Sequence, residues 1–171
     1  MPRSARRHDA ATIAWLGTWL PDGAAILDVG PGAGKWGKHL APLWPAIDAL
    51  EVHGPYVEDF GLRRIYRRVM VGDVRRFAFP PGGYALVVFG DVLEHLPVAD
   101  AQRVVMAATA SGADVLAQVP YECEQGALAG VEAERHVQAD LTPENMAERF
   151  PALRLVVGDG WFGMYCTRDA T

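Results

Sequence analysis

One segment restricts this chain more than any other. Ala24-Ala25-Ile26-Leu27-Asp28-Val29 runs directly into Gly30-Pro31-Gly32-Ala33-Gly34. The apolar run reads as a strand buried on both faces, the kind that parallel sheets use. The glycines after it allow a sharp turn and leave no Cβ in the way of a ligand. In open α/β sheets, ligands bind just there, beyond the carboxyl ends of the strands.

The rest of the chain repeats that unit. Residues 9–20 carry Ile13, Leu16 and Leu20 at helical spacing, and Pro21-Asp22-Gly23 stops them. After the glycine turn, a helix is expected to about Trp44, then a strand over Ile47–Val52 and a short helix near Tyr56–Leu62. Strands follow at Val69–Val71 and Tyr84–Phe89, a helix at Val98–Ala110 and a strand at Val115–Val119. Residues 121–140 have no clear period. Thr142 can cap a helix that has Pro143 in its first position. Leu153–Val157 and Phe162–Thr167 then read as strands joined by a short Asp-Gly turn, which pairs them antiparallel. Alternating strands and helices imply an α/β, Rossmann-like fold. The expected sheet has seven strands, mostly parallel, with an antiparallel last strand and helices on both faces.

At 171 residues the chain suits one domain, 1–171, with an N-terminal helical segment over 1–23. A net charge of −5 argues against nucleic acid as a partner. Cys123 and Cys166 are far apart, and no metal-type cysteine pair occurs, so both read as reduced thiols. No apolar run suits a signal peptide or a membrane span, so a cytoplasmic protein with no membrane partner is expected.

Three readings compete for the glycine turn. Gly32-Ala33-Gly34-Lys35-Trp36-Gly37 is a literal G-x-G-x-x-G, but it starts late for a dinucleotide fingerprint. A phosphate-binding P-loop is excluded, because Trp36 follows Gly34-Lys35 and Val29 stands where the first glycine belongs. The third reading draws on the strand ends that follow. Glu51 closes the second strand, and Gly72-Asp73-Val74 closes the third. Taken singly these are a surface glutamate and a turn aspartate.

Together, Asp28-Val29-Gly30-Pro31-Gly32-Ala33-Gly34, Glu51 and Asp73-Val74 resemble the motifs of class I S-adenosylmethionine-dependent methyltransferases, in order. The resemblance implies S-adenosyl-L-methionine as cofactor. Asp28, Gly30, Gly32 and Gly34 would form its loop, Glu51 would take the ribose hydroxyls, and Asp73 with the Val74 amide would meet the adenine. Gly-Pro-Gly-Ala-Gly-Lys-Trp-Gly, Gly90-Asp91-Val92-Leu93-Glu94-His95, Glu124-Gln125-Gly126 and Glu134-Arg135-His136 are similar to a small bacterial subset of that class, over about residues 24–167.

Asp91-Val92-Leu93-Glu94-His95 follows the fourth strand. On a helical turn, Asp91, Glu94 and His95 share one face at i, i+3 and i+4, and such a set can hold a divalent cation. The segment also resembles the metal site of small-RNA 2′-O-methyltransferases, which implies His136 as a fourth ligand. Asp91 stands where that family has glutamate, and its denser histidines are missing here. Asp91, His95 and His136 are the candidate catalytic residues, with a histidine as base or with Mg²⁺, Mn²⁺ or Fe²⁺ at Asp91, Glu94, His95 and His136. The plainer roles are packing for His95, a solvated Glu94 and a loop hydrogen bond for His136.

Residues 120–141 are too long for an ordinary connection and read as a lid over the acceptor. Arg63, Arg64, Arg67, Arg68, Arg75 and Arg76 form a basic cluster that suits a solvated face or an acidic acceptor. Trp15 and Trp19 are expected to pack into the core. The resulting expectation is O-methylation of a small hydroxylated molecule, a sugar or secondary metabolite. The alternatives are a ribose 2′-O-methyltransferase, a non-catalytic cofactor-binding partner and a nicotinamide enzyme. The oligomeric state is left open by the sequence.

Overall fold

The computed structural model describes residues 7–169. Its seven strands are β1 (Ile26–Val29), β2 (Ile47–Glu51), β3 (Arg68–Val71), β4 (Leu86–Gly90), β5 (Asp114–Pro120), β6 (Arg154–Gly158) and β7 (Phe162–Cys166). They form one sheet in the order β3-β2-β1-β4-β5-β7-β6. The first five are mutually parallel, and β7 is antiparallel to both β5 and β6. This is the expected mixed α/β sheet. The order reverses between β1 and β4, so the switch point lies over their carboxyl ends.

Strand side chains alternate between two cores. Leu27, Val29, Val87, Phe89, Val115, Ala117 and Val119 face α4 (Val98–Ala110) and α5 (Pro143–Arg149). Ile26, Leu86, Val88 and Leu116 face α1 (Asp9–Leu16), α2 (Lys35–Leu40) and α3 (Pro55–Asp59). Both faces are covered, so β1, β2 and β4 are buried at every position. Thr142 caps α5 by accepting a hydrogen bond from the Asn145 amide, and Pro143 follows it.

The expected helix over 9–20 ends at Leu16. Gly17 caps it, and the chain continues as turns that place Leu20 in the core. Trp15 and Trp19 still meet edge to face, with ring centroids 5.4 Å apart, half-buried against that core. The helix after the glycine turn is also shorter than expected and stops at Leu40. Among the described residues, no helix is long and apolar enough to cross a membrane.

Candidate active site

A cleft of about 460 Å³ opens at the switch point. One end is formed by the loop after β1 and the tip of β2. Gly30 and Gly34 have φ of 62° and 76°, where side chains are rarely tolerated. A Cβ on Gly30 would sit 2.7 Å from Val92, so the loop packs directly against the segment after β4. Glu51 is 3% exposed and borders the cleft. Its carboxylate accepts hydrogen bonds from the His53 amide (2.8 Å) and the Gly32 amide (3.3 Å). Burial pushes its pKa up, those amides oppose the shift, and the charge of Glu134 adds to it.

Gly32, Asp73 and Val74 also line this end. Asp73 caps the 3-10 turn Val74–Arg76 by accepting from the Arg75 amide, and it pairs with the Arg75 guanidinium. Those hydrogen bonds hold its carboxyl below the usual range.

Asp28 and Gly34 lie behind the cleft rather than on its wall. Asp28 is 1% exposed and accepts a hydrogen bond from the Tyr66 hydroxyl, and burial pushes its pKa up to about 7. Tyr66 in turn accepts from the Gly37 amide at 3.1 Å. A Cβ on Gly37 would meet the Tyr66 ring at 2.3 Å, and one on Gly90 would meet Trp36 at 2.3 Å. The Lys35 ammonium contacts Asp9 and Gln118. The Gly34-Lys35-Trp36-Gly37 run is thus a packing code that seats α2 under the loop. Asp28 braces the loop through Tyr66, a residue the sequence reading missed.

The other end of the cleft gathers the expected reaction residues, with one change. Asp91 takes a left-handed conformation, φ 57°, and the following turn, Leu93–His95, is a 3-10 helix. The i, i+3, i+4 face expected of an α-helix therefore does not form. One ligand atom each from Glu94, His95 and His136 lies within 4.8 Å of the others, and Asp91 falls outside this group. Asp91 lines the same cleft, and its charge reaches Glu94.

Glu94 is 1% exposed, and neither carboxylate oxygen has a hydrogen-bond partner among the described residues. Burial, and then Asp91, push its pKa well up. His95 Nδ1 lies 3.0 Å from the Arg135 carbonyl, and His136 Nδ1 lies 2.7 Å from the Cys123 carbonyl. A carbonyl can only accept, so each Nδ1 carries a proton. Burial, opposed by the Arg135 carbonyl, brings the His95 pKa down to about 4, so its imidazole is neutral near pH 7.

The segment over 120–141 crosses this end and includes a 3-10 turn, Glu132–Glu134. Gln138, 3% exposed, holds it in place. Its side chain donates to the Leu93 and Leu96 carbonyls, both at 2.8 Å, while the Val137 and Gln138 amides donate to the Glu94 carbonyl. Gln138 was missed in the sequence, although it stands two residues after His136. The basic cluster is largely consumed in ion pairs. Arg67 and Arg68 bind the buried Asp48, Arg63 pairs with Glu58, and Arg75 with Asp73.

The fold recurs among solved structures. DhpI in complex with S-adenosylhomocysteine aligns with a TM-score of 0.67 at 18% identity, over 93% of this chain and 84% of that one. A SAM-dependent methyltransferase of Leishmania major gives 0.63 at 16% identity, over 93% and 72%. Magnesium protoporphyrin IX methyltransferase of Synechocystis PCC 6803 with bound SAM gives 0.64 at 14%, over 92% and 76%. At the level of sequence, no family model and no curated protein matches the chain. The fold is therefore that of the class I methyltransferases.

Proposed function

We propose that the protein is an S-adenosylmethionine-dependent methyltransferase acting on a hydroxyl of a small acceptor, a sugar or secondary metabolite. One observation carries this reading. A single cleft joins a glycine-walled end with a buried carboxylate, Glu51, to an end bearing the His95 and His136 imidazoles and Glu94. Gly30, Gly32, Glu51, Asp73 and Val74 would hold the cofactor, with Asp28 and Gly34 supporting the loop from behind. Bound S-adenosylmethionine supplies an activated methyl group, so the protein needs chiefly to align the acceptor oxygen and manage its proton.

The Nε2 atoms of His95 and His136 can accept that proton. Glu94, His95 and His136 also suit a divalent cation, since both imidazoles are oriented through Nδ1 and the buried carboxylate has no hydrogen-bond partner among the described residues. Asp91, the fourth expected ligand, is better suited to orient the cofactor or acceptor beside them. A cation held there would supply charge that lowers the pKa of the acceptor hydroxyl. Residues 120–141 would close over the acceptor. The pairing of Arg63, Arg67, Arg68 and Arg75 with carboxylates weighs against a nucleic-acid acceptor.

Release of S-adenosylhomocysteine tests this reading, assayed with sugar and phenolic acceptors, with Mn²⁺ and with chelator. Acceptor-dependent release that falls by about a hundredfold or more in His136→Ala is expected. Release that is independent of acceptor, or unchanged in His136→Ala, would overturn the assignment of the reaction end.

A further inference from the structure

At the glycine-walled end of the cleft, Arg75 fills the carboxylate beside it. Oδ1 of Asp73 accepts from the Arg75 amide and from Arg75 Nε, both at 2.9 Å. Oδ2 accepts from Nε at 2.9 Å and from Nη2. A carboxylate offers about four acceptor sites, so a single residue occupies what Asp73 has. Both residues line the cleft. A second carboxylate stands behind them. Asp100, in the first turn of α4, has Oδ2 3.8 Å from Arg75 Nη1, while its Oδ1 accepts from Arg103 Nη2 at 2.7 Å. Asp100 is not among the residues that line the cleft, so a guanidinium that moved fully to it would draw back from the cleft.

The bonds from Arg75 to Asp73 are of two kinds. The amide bond caps the Val74–Arg76 turn and belongs to the backbone. The guanidinium bonds are independent of that cap, and they close Asp73 to a donor on any ligand. We propose that Arg75 is a latch on Asp73 that sets how tightly the adenine amino group is bound: for Asp73 to accept from that group, the guanidinium transfers from Asp73 to Asp100. The inference rests on the cofactor reading above, in which Asp73 meets the adenine, and adds the residue that competes for it. Part of the binding free energy then goes into opening the latch. The apparent affinity is the intrinsic one reduced by the fraction of molecules in which Asp73 is open. Both side chains are partly exposed, so the latch is weak enough for a ligand to open.

Calorimetric titration with S-adenosylhomocysteine, and with the analogue in which hydrogen replaces the adenine amino group, tests this. Arg75→Ala keeps the backbone cap and removes the latch. It should bind the parent about twofold to fivefold more tightly than wild type, the contribution of a partly exposed ion pair, and bind the analogue as wild type does. Asp100→Asn should weaken the parent in the wild-type background and leave it unchanged in the Arg75→Ala background. A merely structural effect of Asp100→Asn would persist in both backgrounds and would refute the transfer. Arg75→Lys, which keeps the charge without the planar fork, should fall between wild type and alanine. Parent affinity that is unchanged or lower in Arg75→Ala would overturn the proposal. So would an equal gain for parent and analogue, which would mean that Arg75 acts on the cleft as a whole and not through Asp73. If wild-type protein binds no S-adenosylhomocysteine, the cofactor reading itself falls and the latch with it.

Discussion

Replacing Tyr66 with phenylalanine keeps the ring and removes one oxygen, and the structure sets what that costs. The hydroxyl accepts from the Gly37 amide and donates to Asp28, all within a site where Tyr66 is 4% exposed and Asp28 1%. Gly37 is the third residue of α2, so its amide has no acceptor inside the helix. Leaving that donor buried and unpaired costs about 1–3 kcal/mol, and losing the bond to a protonated Asp28 about 1 more. The sum is about 2–4 kcal/mol, or roughly 4–16 °C in Tm for a chain of this size. The effect also depends on pH. Burial places the Asp28 pKa at about 7 in the folded protein, with Tyr66 holding it down, against an ordinary value of 3.8. A carboxyl with a raised folded pKa loses stability as pH rises from its unfolded pKa to its folded one, and the loss then levels off. In Tyr66→Phe the folded pKa moves higher still, so the loss continues past neutrality, at about 1.4 kcal/mol per unit. Urea unfolding at about pH 6 and at about pH 8.5 reads both terms, with the larger destabilisation at the higher pH. A destabilisation below about 0.5 kcal/mol, or one of equal size at both pH values, would refute the brace.

Two further outcomes follow from packing and charge. Gly37→Ala drives a methyl group into the Tyr66 ring, 2.3 Å away, and should cost about 1–3 kcal/mol in urea unfolding. Tyr66→Phe cannot relieve it, because the clash is with the ring. Asp48 is buried and binds Arg67, Tyr84 and Arg68; burial opposes its ionisation, but those hydrogen bonds outweigh it and hold its pKa below the ordinary value. Its contribution is present above about pH 4 and is lost as pH falls through the lowered folded pKa. Asp48→Asn should therefore lower Tm at neutral pH and flatten the acid limb of the stability profile. The size should be modest, about 1–3 kcal/mol, since the Arg67 and Arg68 side chains are half exposed and regain water.

Much of the glycine-walled end of the cleft was legible because it is local. Glycines directly after an apolar run, with an acidic residue at the next strand end, specify a turn and a neighbour without any knowledge of distant contacts. Asp28 was harder. Its motif position suggested contact with the cofactor, but strand alternation turns it to the opposite face from Leu27 and Val29. Only the folded chain brings Tyr66 there, 38 residues away. The grouping at the histidine end of the cleft was half legible. Glu94, His95 and His136 were identified by residue type, but the assumed α-helical face included Asp91. The left-handed turn at Asp91 and the tighter 3-10 helix after it move its carboxylate out of the group. The role of Gln138 was invisible because it depends on where an aperiodic segment crosses the cleft. Such a segment gives no periodic signal to read. The early end of α1 was readable in part, since Gly17 and Thr18 are poor helix formers that the apolar spacing of Leu16 and Leu20 overrode.

Calorimetric titration with S-adenosylhomocysteine, on wild-type protein and on Glu51→Ala, is the most direct measurement. A single site of micromolar affinity, weakened by about tenfold to a hundredfold in Glu51→Ala, is the outcome that a methyltransferase cleft built on this carboxylate requires. No binding by the wild-type protein, or equal binding by the two, would contradict it.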